Sequence, residues 1–569
     1  MIQRKRPQHR KYRPAGFKNP LKVAVIGGLE EVGRNMTMIE YGNDILLLDM
    51  GLQFPEEDMP GIDYIIPNVS ALKSKIKNIR GVIITHGHYD HIGAIPHLMA
   101  ELGNPVIYTL PFSAEIIRKR QEEYKTAPLN IQQVGLDDKL SLGKFHVEFF
   151  RVNHSIPDSM AVAVHTPEGT IVHSGDWKFD YSPIDGLVAE FAKIVRLGEK
   201  GVLAFLGDST NAGLAGHQIS ERDIGETLQT LFAKTNSRII VGTFSSLLSR
   251  VRQVIEIAER LGRRVAVDGY SMKTNVEIAK KMGYIKPRPG TLIDIASVNN
   301  FPDNKIIILC TGAQGEESAC LMRIANGEHK CIQIKPKDTV VFSSSIIPGN
   351  ERTIQRLRDT LVKKGAEIIH YQMMDVHAGG HAKNDDIKLM LSLLKPKYYI
   401  PIEGNQYLLR ENAKNAESMG FEKQNIFVAL NGQVMEFEGG KGIMTKKFLT
   451  SDYVFVDGLG VGDVSEVVLR DRQVLARDGM VVVIATIEGK TGALIGSPDI
   501  ISRGFVYLKE NKKLIEEVRE KVRRIIRDKD QKSSVDNMLA RNRIRNEIGE
   551  FLFRQTERRP MILPVVIEV

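Results

Sequence analysis

The chain has 569 residues, of which 42% are hydrophobic and 26% charged, and its formal net charge is +9. This is the composition of an ordinary folded protein, and the length exceeds what one hydrophobic core organises. Three or four structural units are therefore expected. The basic excess is compatible with a polyanionic partner but does not require one.

The cysteines and the apolar segments argue against several classes of protein. Cys310, Cys320 and Cys331 show no paired C-x-x-C spacing, so neither a disulfide framework nor a thiolate zinc site is indicated. The N-terminus lacks the apolar stretch of a signal peptide, and no apolar run reaches the roughly 18 residues of a membrane span. We therefore expect a cytoplasmic protein that has no membrane partner.

Residues 1–20 are rich in lysine, arginine and proline and contain no acidic residue. This composition cannot bury a core, so the segment is expected to be a flexible basic arm. A solvated tail is the simpler interpretation, and nonspecific contact with phosphate groups is the alternative.

Ordered structure is predicted from Leu21 onward, as strands that end in polar residues. The runs LKVAVIGG, NDILLLDMG and GVIIT are typical of buried strands, as are FHVEFFRVNHS and GTIVHSGDW. In layered α/β proteins, the active-site residues collect where strands end.

The remainder of the chain divides into three further regions. Residues 216–375 alternate strand-like runs such as RIIVGTF and KIIILCTG with helical stretches, which predicts a separate parallel α/β domain. Residues 376–450 return to helix and then strand. Residues 455–569 combine short strands, the charged helix LIEEVREKVRRIIRDK and the strand MILPVVIEV, a pattern that indicates a small α+β domain.

The strongest chemical signal is the string HGHYDH, which contains His86, His88, Asp90 and His91 and directly follows the predicted strand GVIIT. Three imidazoles and a carboxylate within six residues are rarely a packing choice, because each buried polar ring needs a partner. Imidazole and carboxylate are the ligands that divalent metals such as Zn²⁺ and Mn²⁺ prefer. The string therefore predicts a metal centre.

This H-x-H-x-D-H string resembles the signature of the metallo-β-lactamase superfamily. The resemblance implies an αββα sandwich over residues 21–215 and 376–450, with the segment 216–375 inserted as a β-CASP domain. It also implies two divalent ions. His86, His88 and His154 would bind one ion, and Asp90 and His91 the other.

The same resemblance assigns the companion residues. Asp176 would bridge the two ions, Asp90 would also take part in catalysis, and Asp49 would orient a ligand from behind. His173 receives no role, and we expect it to be a structural histidine.

Longer strings narrow the resemblance to the bacterial ribonuclease J family, over nearly the whole chain. They include IGGLEEVGRNM, HSIPDS, GDWKFD, CTGAQGE, FSSSIIPGN, SPDIISRGFVY and RRPMILPVVIEV. The segments 207–211 and 375–381 resemble the acidic and histidine motifs of the β-CASP branch. By that resemblance, His381 would stabilise the transition state and protonate the leaving oxygen, and Asp208 would orient groups in the same pocket.

Three glycine- or serine-rich turns have two interpretations. CTGAQGE, FSSSIIPGN and HAGGHA each offer backbone N–H groups, in two of them beside hydroxyls, which suits a track for RNA phosphates. They are otherwise tight turns between strands and helices.

One position departs from the family pattern. The family has Pro-Ile-His-Gly-Glu-Tyr after the second histidine motif, whereas this chain has Pro-Ile-Glu-Gly-Asn-Gln, so that Glu403 stands in the ligand position. A carboxylate there favours Mn²⁺ or Mg²⁺ over Zn²⁺. Its negative charge could also raise the pKa of a bound water. Both an active enzyme with altered metal preference and a weakened, structural paralogue are consistent with the substitution.

The resemblance implies hydrolysis of single-stranded RNA, 5′-to-3′ from a 5′-monophosphate and with endonucleolytic cuts, in RNA processing and decay. It also implies a homodimer or homotetramer, or assembly with a paralogue, through the C-terminal domain. Two other readings compete with an RNA-cleaving enzyme: a non-catalytic subunit, and a hydrolase of small molecules. The large insertion argues against the latter, because a small substrate needs no long track.

Overall fold

The computed structural model describes residues 17–569 except 57, 125, 317, 348, 465, 490, 506–510 and 528–536. The chain forms two compact units, one of residues up to 53 with Ile66–Val454, the other of Phe54–Ile65 with Phe455–Val569. Of the arm predicted over residues 1–20, only 17–20 lie within the described part. There the backbone N–H groups of Lys18 and Asn19 donate to the carboxylate of Glu438, at 3.0 and 2.7 Å.

The first part of the chain is strand-rich and contains short helices. Its strands are β1 (Leu21–Gly27), β2 (Met36–Tyr41), β3 (Asp44–Leu48), β4 (Tyr64–Ile66), β5 (Ile79–Ile83), β6 (Ile107–Thr109), β7 (Ile131–Gln133), β8 (Lys139–Leu142), β9 (Phe145–Arg151), β10 (Met160–Thr166), β11 (Gly169–His173) and β12 (Ala204–Asp208). Its helices are α1 (Tyr89–Ile92), α2 (Ile95–Leu98), α3 (Pro111–Gln121) and α4 (Phe191–Lys200), with a 3₁₀ segment at Ser70–Asn78.

The inserted segment is a parallel α/β domain. Its strands are β13 (Ile239–Gly242), β14 (Arg264–Asp268), β15 (Leu292–Ile293), β16 (Ile306–Cys310), β17 (Thr339–Phe342) and β18 (Glu367–His370), in the sheet order β15-β14-β16-β13-β17-β18. Its helices are α5 (Glu221–Lys234), α6 (Leu248–Arg260), α7 (Tyr270–Lys281), α8 (Cys320–Asn326) and α9 (Glu351–Lys363), with 3₁₀ segments at Ile295–Asn300 and Asp303–Lys305. All pairings in this sheet are parallel, as the alternating sequence pattern predicts.

After the insertion, the chain returns to the first sheets. The returning elements are α10 (Asn384–Leu394), β19 (Tyr398–Ile402), α11 (Gln406–Ser418), a 3₁₀ segment at Lys423–Asn425, β20 (Gln433–Glu438) and β21 (Lys441–Phe448). The two sheets have the orders β21-β20-β1-β2-β3-β5-β6-β7 and β19-β12-β11-β10-β9-β8. Strand β19 pairs in parallel with β12, so the strands that flank the insertion in the chain are neighbours in the sheet.

One apolar core fills the space between these two sheets. It contains Leu46 and Ile83 of the eight-stranded sheet and Val162 and Leu206 of the six-stranded sheet, all fully buried. The other face of the six-stranded sheet is covered by α4, α10 and α11. Because both faces of that sheet are covered, strands such as β10 are buried almost throughout, which explains their continuous apolar sequence. The predicted αββα sandwich with an inserted α/β domain is confirmed.

The second unit is a small α+β domain, also as predicted. It comprises β22 (Val454–Asp457), β23 (Gly460–Val461), α12 (Glu466–Asp478), β24 (Met480–Ile487), β25 (Asp499–Arg503), α13 (Lys512–Arg527), α14 (Asn537–Thr556) and β26 (Met561–Glu568). Helices α13 and α14 cover one face of the sheet β25-β24-β26.

The segment Phe54–Ile65 also belongs to this second unit, where Ile62 and Ile65 pack against Phe455. The sequence alone places residues 54–65 in the first domain. Among the described residues, no helix has both the length and the apolar content needed to cross a bilayer.

A buried ion pair lies at one end of the inserted sheet. Arg238, just before β13, donates to both carboxylate oxygens of Asp338, at 3.1 and 2.5 Å, and neither residue is more than 2% exposed. We expect Arg238→Met to destabilise this domain by about 3–5 kcal/mol, because it leaves a buried carboxylate unpaired. Urea unfolding of the purified chain measures the loss.

Lys335→Met is the matched control, because it breaks only the exposed pair with Asp303, whose side chains are 44% and 47% exposed. Such pairs contribute about 1 kcal/mol or less. Equal losses in the two variants would contradict the assignment of Arg238.

Candidate metal centre

Four strand ends bring the predicted ligands to one place. His86, His88, Asp90 and His91 follow β5, with the last two in the single turn of α1. The other ligands follow strands of the six-stranded sheet: His154 follows β9, Asp176 follows β11 and Glu403 follows β19. The structure brings all seven side chains together in two groups that share Asp176, and within each group the candidate ligand atoms lie within 4.8 Å of one another.

The first group contains three imidazoles and a carboxylate. His88 Nδ1 lies 3.1 Å from His86 Nε2 and 3.0 Å from His154 Nε2. Asp176 Oδ2 lies 3.6 and 3.5 Å from the same two Nε2 atoms. Ligands about 2.0 Å from a tetrahedral ion are separated by about 3.3 Å, so this spacing fits one cation.

The protonation of the first group also suits a cation. Burial lowers the pKa of all three imidazoles, that of His88 to about 4, so each ring is neutral at neutral pH. Neutral rings direct nitrogen lone pairs at one another, and these lone pairs repel. A cation bound between the rings would attract all of them. Asp176 Oδ1 is buried and accepts no hydrogen bond from the three imidazoles of the first group, and it faces His91 Nε2 of the second group at 3.1 Å.

The second group is richer in oxygen. His91 Nε2 lies 3.1 Å from Asp176 Oδ1, 3.1 Å from Glu403 Oε1 and 3.8 Å from Asp90 Oδ2. Burial disfavours a charge on His91, but the surrounding carboxylates, led by Asp176 and Asp49, outweigh it and raise the pKa. Three carboxylates around one imidazole form a donor set for hard divalent ions.

Glu403 is held at the candidate ligand position by a strained backbone and an amide partner. Its φ is +60°, in the left-handed region, and its side chain is 2% exposed. Asn35 Nδ2 donates to Glu403 Oε1 at 2.5 Å and lies 3.2 Å from His91 Nε2. Burial and the neighbouring Asp176 carboxylate raise the pKa of Glu403 well above its usual range. The neighbouring His91 acts in the opposite direction and lowers the pKa.

Asp49 lies directly behind the second group. His91 Nδ1 donates to Asp49 Oδ2 at 2.8 Å, which leaves Nε2 free to face the ligand cluster. The N–H and the hydroxyl of Thr85 donate to the same carboxylate, at 2.8 to 3.1 Å. Asp49 thus fixes both the ring of His91 and the backbone that leads into His86.

His381 and Asp208 form a pair beside the two groups. His381 Nδ1 donates to Asp208 Oδ2 at 2.8 Å and lies 3.9 Å from Asp176 Oδ2. Although burial opposes it, the Asp208 carboxylate raises the pKa of His381. The fully buried Asn412 holds the end of β12 by donating to the Asp208 carbonyl oxygen at 2.9 Å.

The loop that carries His381 is also bonded to a ligand of the first group. His154 Nδ1 donates to the Gly380 carbonyl oxygen at 2.7 Å, which directs Nε2 toward His88. A Cβ on Gly380 would lie 2.5 Å from His154 Cε1, and one on Gly379 would lie 2.6 Å from Gln218 Nε2. Close approach of the His154 ring therefore explains Gly380, and a side chain at Gly379 would require the Gln218 amide to move.

Two hydroxyls of the serine turn, those of Ser343 and Ser344, form hydrogen bonds within the protein. Ser343 donates to the Val376 carbonyl oxygen at 2.6 Å, and the fully buried Arg250 donates to the same oxygen at 2.5 Å. Gln314, from CTGAQGE, donates to Ser344 Oγ at 3.2 Å. These contacts favour a structural role for the two turns CTGAQGE and FSSSIIPGN, in which Ser343 bonds Val376 just before the His381 loop, over that of a phosphate track.

Two other histidines have structural contacts. His173 is buried, and its Nδ1 accepts the N–H of Gly175 at 3.1 Å. His329 Nδ1 accepts two backbone N–H groups, so its Nε2 carries the proton that is donated to Asp268 at 2.8 Å. Although Asp268, Cys320 and His329 lie close together, His329 thus has no free lone pair for a metal ion.

Asn35, Thr85 and Gly380 also belong to the site, and the sequence alone did not indicate their part in it. Asn35 stands within IGGLEEVGRNM, which carried the family resemblance but gave no role to any residue. Amide and carbonyl partners leave no recognisable spacing in a sequence.

Three segments of the chain match known protein families. Residues 29–230 match the metallo-beta-lactamase superfamily, residues 236–361 match "Ribonuclease J, beta-CASP domain", and residues 467–569 match "Ribonuclease J C-terminal domain". Together with the donor groups, these matches define a metallo-β-lactamase hydrolase with an inserted β-CASP domain.

Curated relatives match over most of the chain. It is 38% identical to Ribonuclease J 1 of Streptococcus pyogenes, over 96% of this chain and 98% of that protein. It is 35% identical to Ribonuclease J2 of Bacillus subtilis, over 96% and 99%, and 39% identical to Ribonuclease J of Synechocystis, over 88% and 77%. The chain belongs to the ribonuclease J family, and it is a metal-dependent RNA hydrolase.

A solved structure of a protein of unknown function from Enterococcus faecalis is similar in fold. The TM-score is 0.52 at 15% identity, and the match covers 74% of this chain and all of that one. At this identity the likeness concerns the fold alone.

The two donor groups predict a metal stoichiometry. We expect the metal-free chain to take up two equivalents of Mn²⁺ or Zn²⁺, His88→Ala to retain one, and Asp176→Ala to bind both ions most weakly, because both groups share that carboxylate. Elemental analysis after dialysis measures the bound metal.

His165→Ala is the matched control, because His165 bonds Glu148 and Thr170, outside both groups. It should keep two equivalents. Two equivalents in His88→Ala would contradict the assignment of the first group.

Proposed function

We propose that the chain cleaves single-stranded RNA processively, 5′-to-3′ from a 5′-monophosphate, and also makes endonucleolytic cuts, in cytoplasmic RNA processing and decay. The observation that carries the proposal is the pair of complete donor groups that share Asp176 beside His381 and Asp208. The substitution at Glu403 leaves the second group with four ligand residues, which favours an active enzyme over a structural paralogue.

His86, His88, His154 and Asp176 would hold one divalent ion, and Asp90, His91, Asp176 and Glu403 the other. When bound, such ions would neutralise the phosphodiester and acidify the attacking water. The protein itself supplies fixed ring orientations, through Asp49 on His91 and Gly380 on His154. The protein also keeps these side chains out of contact with solvent: His86, His91 and Asp176 are each no more than 1% exposed.

His381 is the proposed proton donor to the leaving oxygen. Its Nδ1 is occupied by Asp208, so Nε2 is the atom that can face the substrate. The Asp208 carboxylate stabilises the protonated ring and prevents it from turning. The side chain is 24% exposed, which leaves it accessible to an RNA strand.

The two groups differ in their proposed metal preference. Three imidazoles suit Zn²⁺ in the first group, whereas three carboxylates suit Mn²⁺ or Mg²⁺ in the second. Asn35 supports this assignment because its amide holds Glu403 Oε1 at 2.5 Å, next to His91.

We also propose that the C-terminal domain supports a homodimer or homotetramer, or assembly with a paralogue. The sheet β25-β24-β26 leaves Leu563, Val565 and Ile567 between 39% and 44% exposed on β26, and Ile501 38% exposed on β25. An apolar sheet face of this kind is typical of protein–protein contacts.

His88→Ala should abolish RNA cleavage while the fold persists, because it removes a ligand of the first group. We expect at least about a 10³-fold loss in rate, the scale of several kcal/mol of lost charge stabilisation. A single-turnover assay on 5′-monophosphorylated RNA with Mn²⁺ measures it, and His165→Ala should retain the wild-type rate. A wild-type chain that cuts no RNA in this assay, or a fully active His88→Ala, would refute the proposal.

Glu403→His should shift the metal profile of cleavage and of binding from Mn²⁺ toward Zn²⁺, because imidazole replaces a hard oxygen ligand. Paired titrations with the two metals measure the shift. Glu422→His is the control, because the side chain of this exposed glutamate accepts a hydrogen bond from the nearby Gln424 and lies outside both donor groups. An unchanged profile in Glu403→His would show that Glu403 is not a ligand.

A further inference from the structure

Two side-chain amides outside the metal centre donate hydrogen bonds to the backbone carbonyl of His381. Gln218 Nε2 donates to the His381 carbonyl oxygen at 3.0 Å, and Asn211 Nδ2 donates to the same oxygen at 3.3 Å. Both residues lie on the segment between β12 and α5, which neither donor group uses.

The amide of Gln218 is itself held in place. Its backbone N–H donates to Asp386 Oδ2 at 3.0 Å, and its Oε1 accepts the N–H of Ile219 at 3.2 Å. Asp386 is fully buried at the start of α10. The donor at Nε2 is therefore fixed at both ends of the side chain.

A displacement of the loop that carries His381 would alter two hydrogen bonds. His381 bonds Asp208 through Nδ1, and one residue earlier the Gly380 carbonyl accepts Nδ1–H of His154. The amide of Gln218 also lies against Gly379, where a Cβ would lie 2.6 Å from its Nε2. The hydrogen bonds to the His381 carbonyl therefore fix both the position of His381, the proposed acid, and the orientation of the His154 ring.

We propose that Gln218 and Asn211 are positioning residues for the cleavage reaction, which act through the main chain of His381 and not on the RNA. The inference rests on the proposed role of His381. Loss of these hydrogen bonds should lower kcat and leave KM nearly unchanged, since the substrate-binding surface stays in place. Misplacement of a reacting group by about 1 Å costs on the order of 100-fold in rate.

Two variants of Gln218 isolate the donor. Gln218→Glu keeps an oxygen that accepts from Ile219 and removes the Nε2 donor, whereas Gln218→Met removes both without adding charge. We expect both to lower kcat about 10- to 100-fold, with KM within about twofold of wild type. His217→Asn is the control on the same segment, because His217 is 51% exposed and bonds Asp386 instead of the loop.

Hydrogen exchange, measured by mass spectrometry on the full chain, provides a readout independent of cleavage. Amides of residues 377–381 should exchange faster in both Gln218 variants than in the wild type or His217→Asn. Unchanged exchange in these residues would overturn the inference even if the wild type cut no RNA. An unchanged kcat in an active enzyme, or an equal loss in His217→Asn, would overturn it as well. A wild type that fails to cleave would refute the proposed function separately.

Discussion

The metal centre depends on one buried carboxylate. Asp176 is 1% exposed, and its two oxygens face different groups, Oδ2 toward His86 and His154 and Oδ1 toward His91. A carboxylate removed from water to this extent is costly unless positive charge or hydrogen bonds offset it. The side chains that surround Asp176 come from the strand ends, the single turn of α1 and the loop before α10.

The local part of this arrangement could be predicted from the sequence. Three histidines and an aspartate within HGHYDH leave few alternatives to a metal centre. The family resemblance gave the layered αββα fold, and the alternation of strands and helices over residues 216–375 correctly predicted the inserted α/β domain. Partners that are distant in sequence could not be predicted. Asn35 holds Glu403 through an amide that has no distinctive spacing, and Phe54–Ile65 joins the second unit through packing with Phe455 that its own residues do not indicate.

The glycine and serine turns illustrate why a motif alone leaves its purpose open. Free N–H groups beside hydroxyls suit an anion, but they suit the protein's own carbonyls equally well. Ser343 and Arg250 both bond Val376, and a side chain at Gly380 would clash with the ring of the proposed ligand His154. Ser343, from one of the turns that suggested a phosphate track, thus bonds the segment that leads into the loop of the proposed acid. Only the three-dimensional partners distinguish these two uses.

The parallel pairing of β12 with β19 has a consequence for biosynthesis. Asp208 ends the strand before the inserted domain and stands opposite Ile402, the residue before Glu403, on the strand after it. A nascent chain that has emerged only through the insertion possesses His86, His88 and His154 but lacks the last carboxylate of the second group. The second group is therefore completed only after the ribosome has made the whole insertion, and a truncated translation product would carry an incomplete centre.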